Sequence, residues 1–174
     1  MTLASFDLNQ LVQEVSDLYR AQDSQVQLKL DLDRELPELQ ADRGRVRQIL
    51  NNLITNSMEA LESSEAAQIE ITTHRETLPA GPIIQISVAD NGPGFAPDII
   101  GQAFDPYVTS KPKGTGLGLA IVKKIVEEHG GHIEAENRRS GGARVRVTLP
   151  ADDRARVGVL PRDARKNEMR RERA

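Results

Sequence analysis

One amphipathic helix is predicted over Arg43–Glu62, and the rest of the chain has to be arranged so that its apolar side is covered. Apolar and small residues recur in this stretch at steps of three and four, which places them on the same side of a helix. These residues are Val46, Ile49, Leu50, Leu53, Ser57, Ala60 and Leu61. A stripe of this kind belongs in a core, so the sequence predicts a helix that packs on another layer.

Polar side chains run along the edge of that stripe, and two interpretations fit them. They are Arg45, Gln48, Asn52, Asn56 and Glu59. Asn is a mediocre helix former, and a half-buried amide needs partners for its donors and acceptors. A ligand-binding face would supply such partners, whereas water would supply them at the solvated edge of a surface helix. The helix alone does not decide between the two interpretations.

Composition excludes several other classes of protein. The 174 residues, 38% of them hydrophobic and 28% charged, are typical of one soluble domain that can bury a core. Cysteine is absent, which excludes disulfides and thiolate metal sites. The net charge is −3, and the body of the chain is acidic, so no nucleic acid partner is expected. The sequence has neither a bilayer-length apolar run nor a signal-peptide pattern, so no membrane contact is expected from this part of the protein.

Helical and strand periods alternate along residues 1–150, which we predict to be one domain. Helices are expected at about 8–21, at 43–62 and at Leu117–His129; strands are expected at about 26–33, 39–41, 69–74, 83–89, 133–136 and 144–149. Hairpin-linked strands with helices on one side predict an α+β fold, a two-layer α/β sandwich. Its sheet would be mixed and mostly antiparallel, with three main helices on one face. Residues 151–174 have mixed charge and no apolar period, which predicts a partly disordered tail.

Asp90 is the first residue whose chemistry stands out. It ends the strand over 83–89 on the same parity as the inward-facing Ile86 and Val88, so its carboxylate must meet hydrogen-bond donors. Gly92 and Gly94 keep the backbone beside it free of side chains, and the amino group of a base would fit there. A tight turn that begins with Asp explains the same residues, so this motif alone leaves both interpretations open.

A glycine-rich stretch, Gly114–Leu119, opens the last predicted helix. Backbone N–H groups at such a helix start can surround an anion, and the helix dipole favours negative charge there. The stretch matches neither the P-loop nor the dinucleotide-binding pattern. Lys111 and Lys113 precede it in a segment rich in Pro and Gly, which predicts a mobile lid that brings cations to phosphates. A charged surface loop has the same composition.

Four motifs occur in the order found in a known family. Asn52-x-x-x-Asn56, Asp90-x-Gly92-x-Gly94, Phe104–Tyr107 and Gly114–Leu119 resemble the motifs of the ATP-binding catalytic domain of sensor histidine kinases. That domain has the Bergerat-type fold and belongs to a superfamily shared by DNA gyrase, a heat-shock chaperone and the MutL repair proteins. The resemblance covers about residues 5–150. The sequence of residues 104–131 is most similar to that of nitrogen-regulation kinases of the NtrY type.

The resemblance implies ATP and Mg²⁺ as cofactors and gives each motif a role. Asn56 and Asn52 would hold the metal, and Asp90 would accept a hydrogen bond from the adenine amino group, which Gly92 and Gly94 allow to approach. Phe104 and Tyr107 would anchor the lid. The phosphates would meet Lys111, Lys113 and the backbone of Gly114, Thr115, Gly116, Leu117 and Gly118. Asn52, Asn56 and Lys111 would form the catalytic set.

The implied reaction is phosphoryl transfer in two-component signalling. The γ-phosphate of ATP would pass to a histidine on dimerisation and phosphoacceptor helices upstream of this chain, and then to the receiver domain of a response regulator. None of His74, His129 and His132 has the sequence context of an acceptor, so all three are expected to be polar surface residues. A cytoplasmic location follows for the domain, within a parent protein compatible with an inner-membrane anchor.

Two alternatives remain. A serine kinase of the anti-sigma-factor type belongs to the same superfamily, but such kinases resemble the ATPases in carrying Glu at the position of Asn52. A nucleotide-sensing module would bind ATP without transferring phosphate. It would not need the four motifs to be intact.

Overall fold

The computed structural model describes residues 1–23, 25–108 and 116–152. In that part of the chain, strands and helices alternate. They are β1 (Ala4–Phe6), α1 (Leu8–Gln22), β2 (Gln27–Leu32), β3 (Leu39–Ala41), α2 (Arg43–Ala60), β4 (Gln68–Leu78), β5 (Gly81–Asp90), α3 (Gly118–Glu128), β6 (His132–Asn137) and β7 (Ala143–Pro150), with a short 3₁₀ turn at Ile100–Gln102.

The main sheet has five strands in the order β2-β4-β5-β7-β6. Among the described residues, the β2–β4 pair of this sheet is parallel and its other three pairs are antiparallel. This confirms the predicted mixed, mostly antiparallel sheet. The central position of β5 matters for function, because its last residue, Asp90, lies opposite Ile69 of β4 in the interior of the sheet rather than at an edge.

The helices cover the sheet and form the core with it, as predicted for a two-layer sandwich. Helix α2 contacts α1, α3 and the central strand β5. Its predicted stripe is buried as expected except for Ala60, which is half-buried, and Ile54 joins it. The polar edge of α2 is thereby held at the boundary between the helix layer and solvent, where Asn52 and Asn56 are half-buried.

A second, two-stranded sheet was not predicted. Strand β1 pairs antiparallel with β3, just before α2, and the backbone N–H of Thr2 donates to Asp42 Oδ2 at 2.9 Å. Strand β3 was expected at 39–41, but β1 was not, because three residues carry too little alternation to mark a strand reliably or to reveal its partner. Asp42 is the N-cap of α2 and also accepts from the backbone N–H of Arg45 at 3.2 Å. The start of the chain is therefore tied to the start of α2.

Ala151 connects the two sheets. Its N–H donates to the carbonyl oxygen of Pro82 in β5, and its own carbonyl accepts from the N–H of Gln40 in β3, both at 2.9 Å. The residue is buried, with 2% of its surface exposed. Tertiary structure therefore extends beyond the end of β7 at Pro150.

His129 differs from the expectation of a surface histidine, because only 3% of it is exposed. Its Nδ1 lies 2.8 Å from the carbonyl oxygen of Ile125, and its Nε2 accepts from the backbone N–H of Asp42 at 3.2 Å. The ring thus joins the end of α3 to the cap of α2. The expectation was wrong because His129 follows the buried Ile125 and Val126 at steps of four and three, which places it on the buried side of α3. His74 is exposed, as expected, and His132 is half-buried.

Within the described ranges, no helix combines the length and the apolar character needed to cross a membrane.

Candidate functional site

Asp90 is a buried carboxylate whose two oxygens have different surroundings. It ends β5 with 2% of its surface exposed. Its Oδ1 accepts from the backbone N–H of Gly92 at 3.0 Å and from that of Ala143 at 3.3 Å. Its Oδ2 makes no hydrogen bond to any residue that the structure describes. The charge is therefore compensated on one side and available as an acceptor on the other.

The turn after Asp90 is fixed by two asparagine side chains. Each amide accepts a hydrogen bond from a backbone N–H and donates one to a backbone carbonyl. Asn91 Oδ1 accepts from the N–H of Gln68 at 2.8 Å, and its Nδ2 donates to the carbonyl of Ala66 at 2.7 Å. Asn137 Oδ1 accepts from the N–H of Phe95 at 2.7 Å, and its Nδ2 donates to the Phe95 carbonyl at 2.9 Å. These four hydrogen bonds hold the turn from both sides.

Gly92 and Gly94 are required by close approach. A Cβ on Gly92 would lie 3.2 Å from the carbonyl oxygen of Ala60, at the end of α2. Gly94 has φ of 79°, and a Cβ there would lie 2.8 Å from Asn137 Oδ1. Gly92 therefore lets the Asp90 turn approach the last residue of α2, and Gly94 lets it approach Asn137 at the end of β6.

The amide edge of α2 meets the start of α3. Asn52 Nδ2 donates to the carbonyl oxygen of Gly118, the first residue of α3, at 3.2 Å. Asn56 follows one turn later on the same edge and is half-buried. A Cβ on Gly118 would meet no described atom within 4 Å, so the space beside this helix start is open in the part of the chain that is described.

Tyr107 and Gly116, which lie on either side of residues outside the described ranges, are joined by main chain. The N–H of Tyr107 donates to the carbonyl of Gly116 at 2.9 Å. Gly116 has φ of 71°, and a Cβ there would overlap the backbone of Tyr107. Phe104 packs against the core, whereas the ring of Tyr107 is 77% exposed. Tyr107 is therefore tied to Gly116 through its backbone, and the anchoring role of both residues stays a prediction.

Four of the predicted phosphate-binding residues lie outside the described ranges: Lys111, Lys113, Gly114 and Thr115. The described ones, Gly116, Leu117 and Gly118, lead into the start of α3. The structure thus places Asn52, in the middle of α2, beside Gly118 at the start of α3, two residues after Gly116. Asp90, Gly92 and Gly94 lie at the end of α2 marked by Ala60.

The donor set favours a hard cation shared with a ligand. Among the described residues, no group of three or more His, Cys, Asp or Glu side chains could hold a metal ion. Amide oxygens of Asn52 and Asn56 are oxygen ligands of the kind that Mg²⁺ accepts when phosphate oxygens and water complete its shell. These residues fit a nucleotide-bound Mg²⁺ better than a metal held by protein alone.

The sequence predicted the hairpin between β6 and β7 but did not indicate that its turn lies beside Asp90. Asn137, Arg138, Gly142 and Ala143 all contact Asp90 or the turn that follows it. The glycines at 141–142 indicated a turn, but no periodicity places a turn more than forty residues away beside Asp90. Only the register of β7 against β5 reveals that proximity.

Comparison with known proteins gives a consistent result. The family described as "Histidine kinase-, DNA gyrase B-, and HSP90-like ATPase" matches residues 41–153. The sensor protein FixL of Bradyrhizobium diazoefficiens is 38% identical over 148 residues, which are 84% of this chain and 29% of FixL. A putative NtrY-like sensor histidine kinase of Rickettsia bellii is 39% identical over 125 residues, which are 68% of this chain and 20% of that protein.

Solved structures similar to this chain are also those of histidine kinases. The catalytic domain of histidine kinase ThkA superimposes with a TM-score of 0.74 at 34% identity, covering 87% of this chain and 97% of that domain. ThkA in complex with the response regulator TrrA gives 0.70 at 31%, covering 86% of this chain and 42% of that one. Full-length ShkA in complex with AMPPNP gives 0.71 at 33%, covering 86% and 31%.

The chain spans less than a third of the length of these curated relatives. The order of its elements and its mixed sheet match the catalytic domain of a histidine kinase along nearly the whole of that domain. The chain therefore belongs to the histidine kinase-, DNA gyrase B- and HSP90-like ATPases, in the branch formed by the catalytic domains of sensor histidine kinases.

Proposed function

We propose that this chain binds ATP with Mg²⁺ and transfers the γ-phosphate to a histidine on the dimerisation and phosphoacceptor helices of a sensor kinase. The observation that carries the proposal is the state of Asp90, which is buried and has Oδ1 occupied by two backbone N–H groups. Its Oδ2 is left to accept from the adenine amino group. Binding of the ATP analogue AMPPNP by ShkA supports the choice of nucleotide.

The metal would be held by Asn56 together with Asn52. Because Asn52 uses its amide nitrogen for Gly118, its oxygen can face a cation between α2 and the phosphates. The Mg²⁺ would neutralise phosphate charge as the γ-phosphate leaves. Lys111 and Lys113 would add positive charge, and the N–H groups of residues 114–118 would orient the triphosphate.

Catalysis would then consist mainly of positioning. An imidazole is a nucleophile in its neutral form, so the attacking group needs little help from a base on this domain. The protein's task is to place the γ-phosphate in line with the incoming nitrogen and to compensate its charge. Asn52 in place of a carboxylate favours this reaction over water activation and over the serine kinase alternative.

The partners follow from the same relatives. ThkA forms a complex with the response regulator TrrA, and we propose that a receiver domain takes the phosphate from the phosphohistidine here as well. The match to an NtrY-like kinase supports a role in nitrogen regulation. FixL matches at almost the same identity, so the stimulus has to be established by experiment.

The test provides the dimerisation and phosphoacceptor helices as a separate protein. The purified chain is mixed with the dimeric phosphoacceptor domain of an NtrY-type or FixL-type kinase and with radiolabelled ATP and Mg²⁺. We expect acid-labile phosphate on the acceptor histidine and none on an acceptor in which that histidine is replaced by alanine. ATP binding without transfer to any such acceptor would favour the nucleotide-sensing module, and acid-stable phosphate would favour the serine kinase.

A further inference from the structure

We propose that Arg138, in the turn between β6 and β7, is a positioning residue for base recognition. It would hold the main chain of Asp90 so that the carboxylate meets the amino group of adenine. The inference rests on the function proposed above and adds to it a residue that lies outside all four sequence motifs. The hairpin from Asn137 to Ala143 is the element that carries it.

The first observation is a side-chain bond to the main chain of Asp90. Arg138 Nη1 donates to the carbonyl oxygen of Asp90 at 3.0 Å in a partly buried position. No ion pair between the guanidinium and the Asp90 carboxylate is found among the described residues. Arg138 can therefore fix the backbone of Asp90 without using up the oxygen that would recognise the base.

The second observation explains why such a bond is needed. The β5–β7 ladder ends at the pair Ala89–Arg144, one residue before Asp90. The next residue of β7, Ala143, pairs with Asn137 of β6, and its N–H donates to Asp90 Oδ1 rather than to the Asp90 carbonyl. The guanidinium of Arg138 supplies the donor at the point where the ladder stops, which keeps the Asp90 carbonyl bonded inside the protein.

Gly142 brings the hairpin into contact with Asp90. Its φ is 92°, and a Cβ at this position would overlap the carbonyl oxygen of Asp90. The next residue, Ala143, donates its N–H to Asp90 Oδ1 at 3.3 Å. One hairpin thus fixes both the main chain and the side chain of Asp90, and the orientation of Oδ2 follows from both.

One N–H group of the Arg138 guanidinium makes no hydrogen bond to a described residue. Arg138 Nε is enclosed and has no acceptor among the residues that the structure describes. A buried donor beside a ligand-binding turn is a place for a water or a ligand atom. This agrees with a role at the edge of the base pocket, whereas a purely structural arginine would be expected to have its donors satisfied.

The test separates base recognition from general stability. Arg138→Ala and Arg138→Lys are compared with the control Arg139→Ala, which changes the exposed neighbour. Each protein is titrated by calorimetry with ATP and with purine riboside triphosphate, which lacks the exocyclic amino group, and its melting temperature is measured.

We expect Arg138→Ala to weaken ATP binding by about tenfold, the usual effect of losing one charge-assisted hydrogen bond. Binding of the amino-free analogue should change much less, and Arg138→Lys should recover part of the ATP affinity because lysine can still donate to a carbonyl. Arg139→Ala should behave as the unmodified chain.

Two results would overturn the inference. An equal loss for both nucleotides would show that Arg138 supports the fold alone, and unchanged ATP affinity in both variants would show that the Asp90 backbone needs no such support. If Arg138→Ala does not fold, Arg138→Lys answers the same question. Failure of the unmodified chain to bind ATP would overturn the proposed function itself, and so is distinguishable.

Discussion

For Asp90, the burial of the side chain could be predicted from the sequence, whereas its hydrogen-bond partners could not. The alternation along β5 continues to this position, so its burial could be predicted and is confirmed. The partners of the carboxylate could not be predicted, because Ala143 lies 53 residues further on. Local periodicity determines which face a side chain takes, whereas its hydrogen-bond partners depend on strand register, which no local pattern specifies.

Asp90→Asn tests the proposed base contact directly. The substitution turns an acceptor into a group that can present a donor to the adenine amino group, and an unmatched buried polar pair costs about 1–3 kcal/mol. We expect ATP affinity to fall by tenfold or more in calorimetry, while the melting temperature changes little. Asp98→Asn, at an exposed position, is the control. Unaltered affinity in Asp90→Asn would place the base elsewhere.

Asn52→Glu tests which reaction the α2 edge supports. It introduces the carboxylate that the superfamily's ATPases use to activate water, one helical turn before Asn56. We expect slower phosphotransfer to a supplied acceptor and faster ATP hydrolysis, measured as phosphate release. Asn52→Gln, which keeps the amide, should not raise hydrolysis. If Asn52→Glu leaves both rates unchanged, Asn52 is not beside the γ-phosphate.

At the scale of elements, the bounds of helices and strands were predicted well where one face of the element is buried. They were predicted less well where both faces of a strand are exposed to solvent. The helix over α2 was expected to reach Glu62 and ends at Ala60, and its buried stripe is as expected except for the half-buried Ala60. Strand β4 was expected to end near His74 but continues to Leu78. Residues 74–77 are exposed, so no alternation marks them, yet they remain paired with β5.

The cap of α2 should make stability depend on pH. The N–H of Thr2, and then that of Arg45, hold the pKa of Asp42 below its ordinary value of 3.8. A lowered pKa in the folded state means that this contribution is complete above pH 3.8 and is lost as the pH falls through the folded pKa.

Asp42→Asn keeps a capping oxygen but removes the titrating charge. We expect its melting temperature to fall less than that of the unmodified chain when the pH is lowered from above to below 3.8, as followed by circular dichroism. The carboxylates of Glu14 and Asp33 also have lowered pKa values and titrate in both proteins, so only the difference between the two curves reports on Asp42. Parallel curves would contradict the assignment.

At the scale of the whole molecule, two sheets are joined by the residue after β7. Because Ala151 bonds to both Pro82 and Gln40, we propose that the folding unit includes it and that residues 153–174 are dispensable for folding. A chain ending at Asp152 should melt like the full chain. A chain ending at Pro150 should lose about 1–3 kcal/mol, the net contribution of two backbone hydrogen bonds. Equal stability of the two truncated chains in urea would show that the connection contributes nothing.

The fixed turn at Asn91 also has a consequence for chemical ageing. Asparagine followed by glycine tends to deamidate, because the glycine nitrogen can attack the side-chain carbonyl and form a succinimide. Here the Gly92 N–H is bonded to Asp90, and the Asn91 amide is bonded at both ends, so neither reactant can reach the other. We expect Asn91 to stay intact for long periods in the folded protein and to convert to aspartate and isoaspartate in the denatured one, as mass spectrometry of peptides would detect. Rapid conversion in the folded state would mean that the turn opens often.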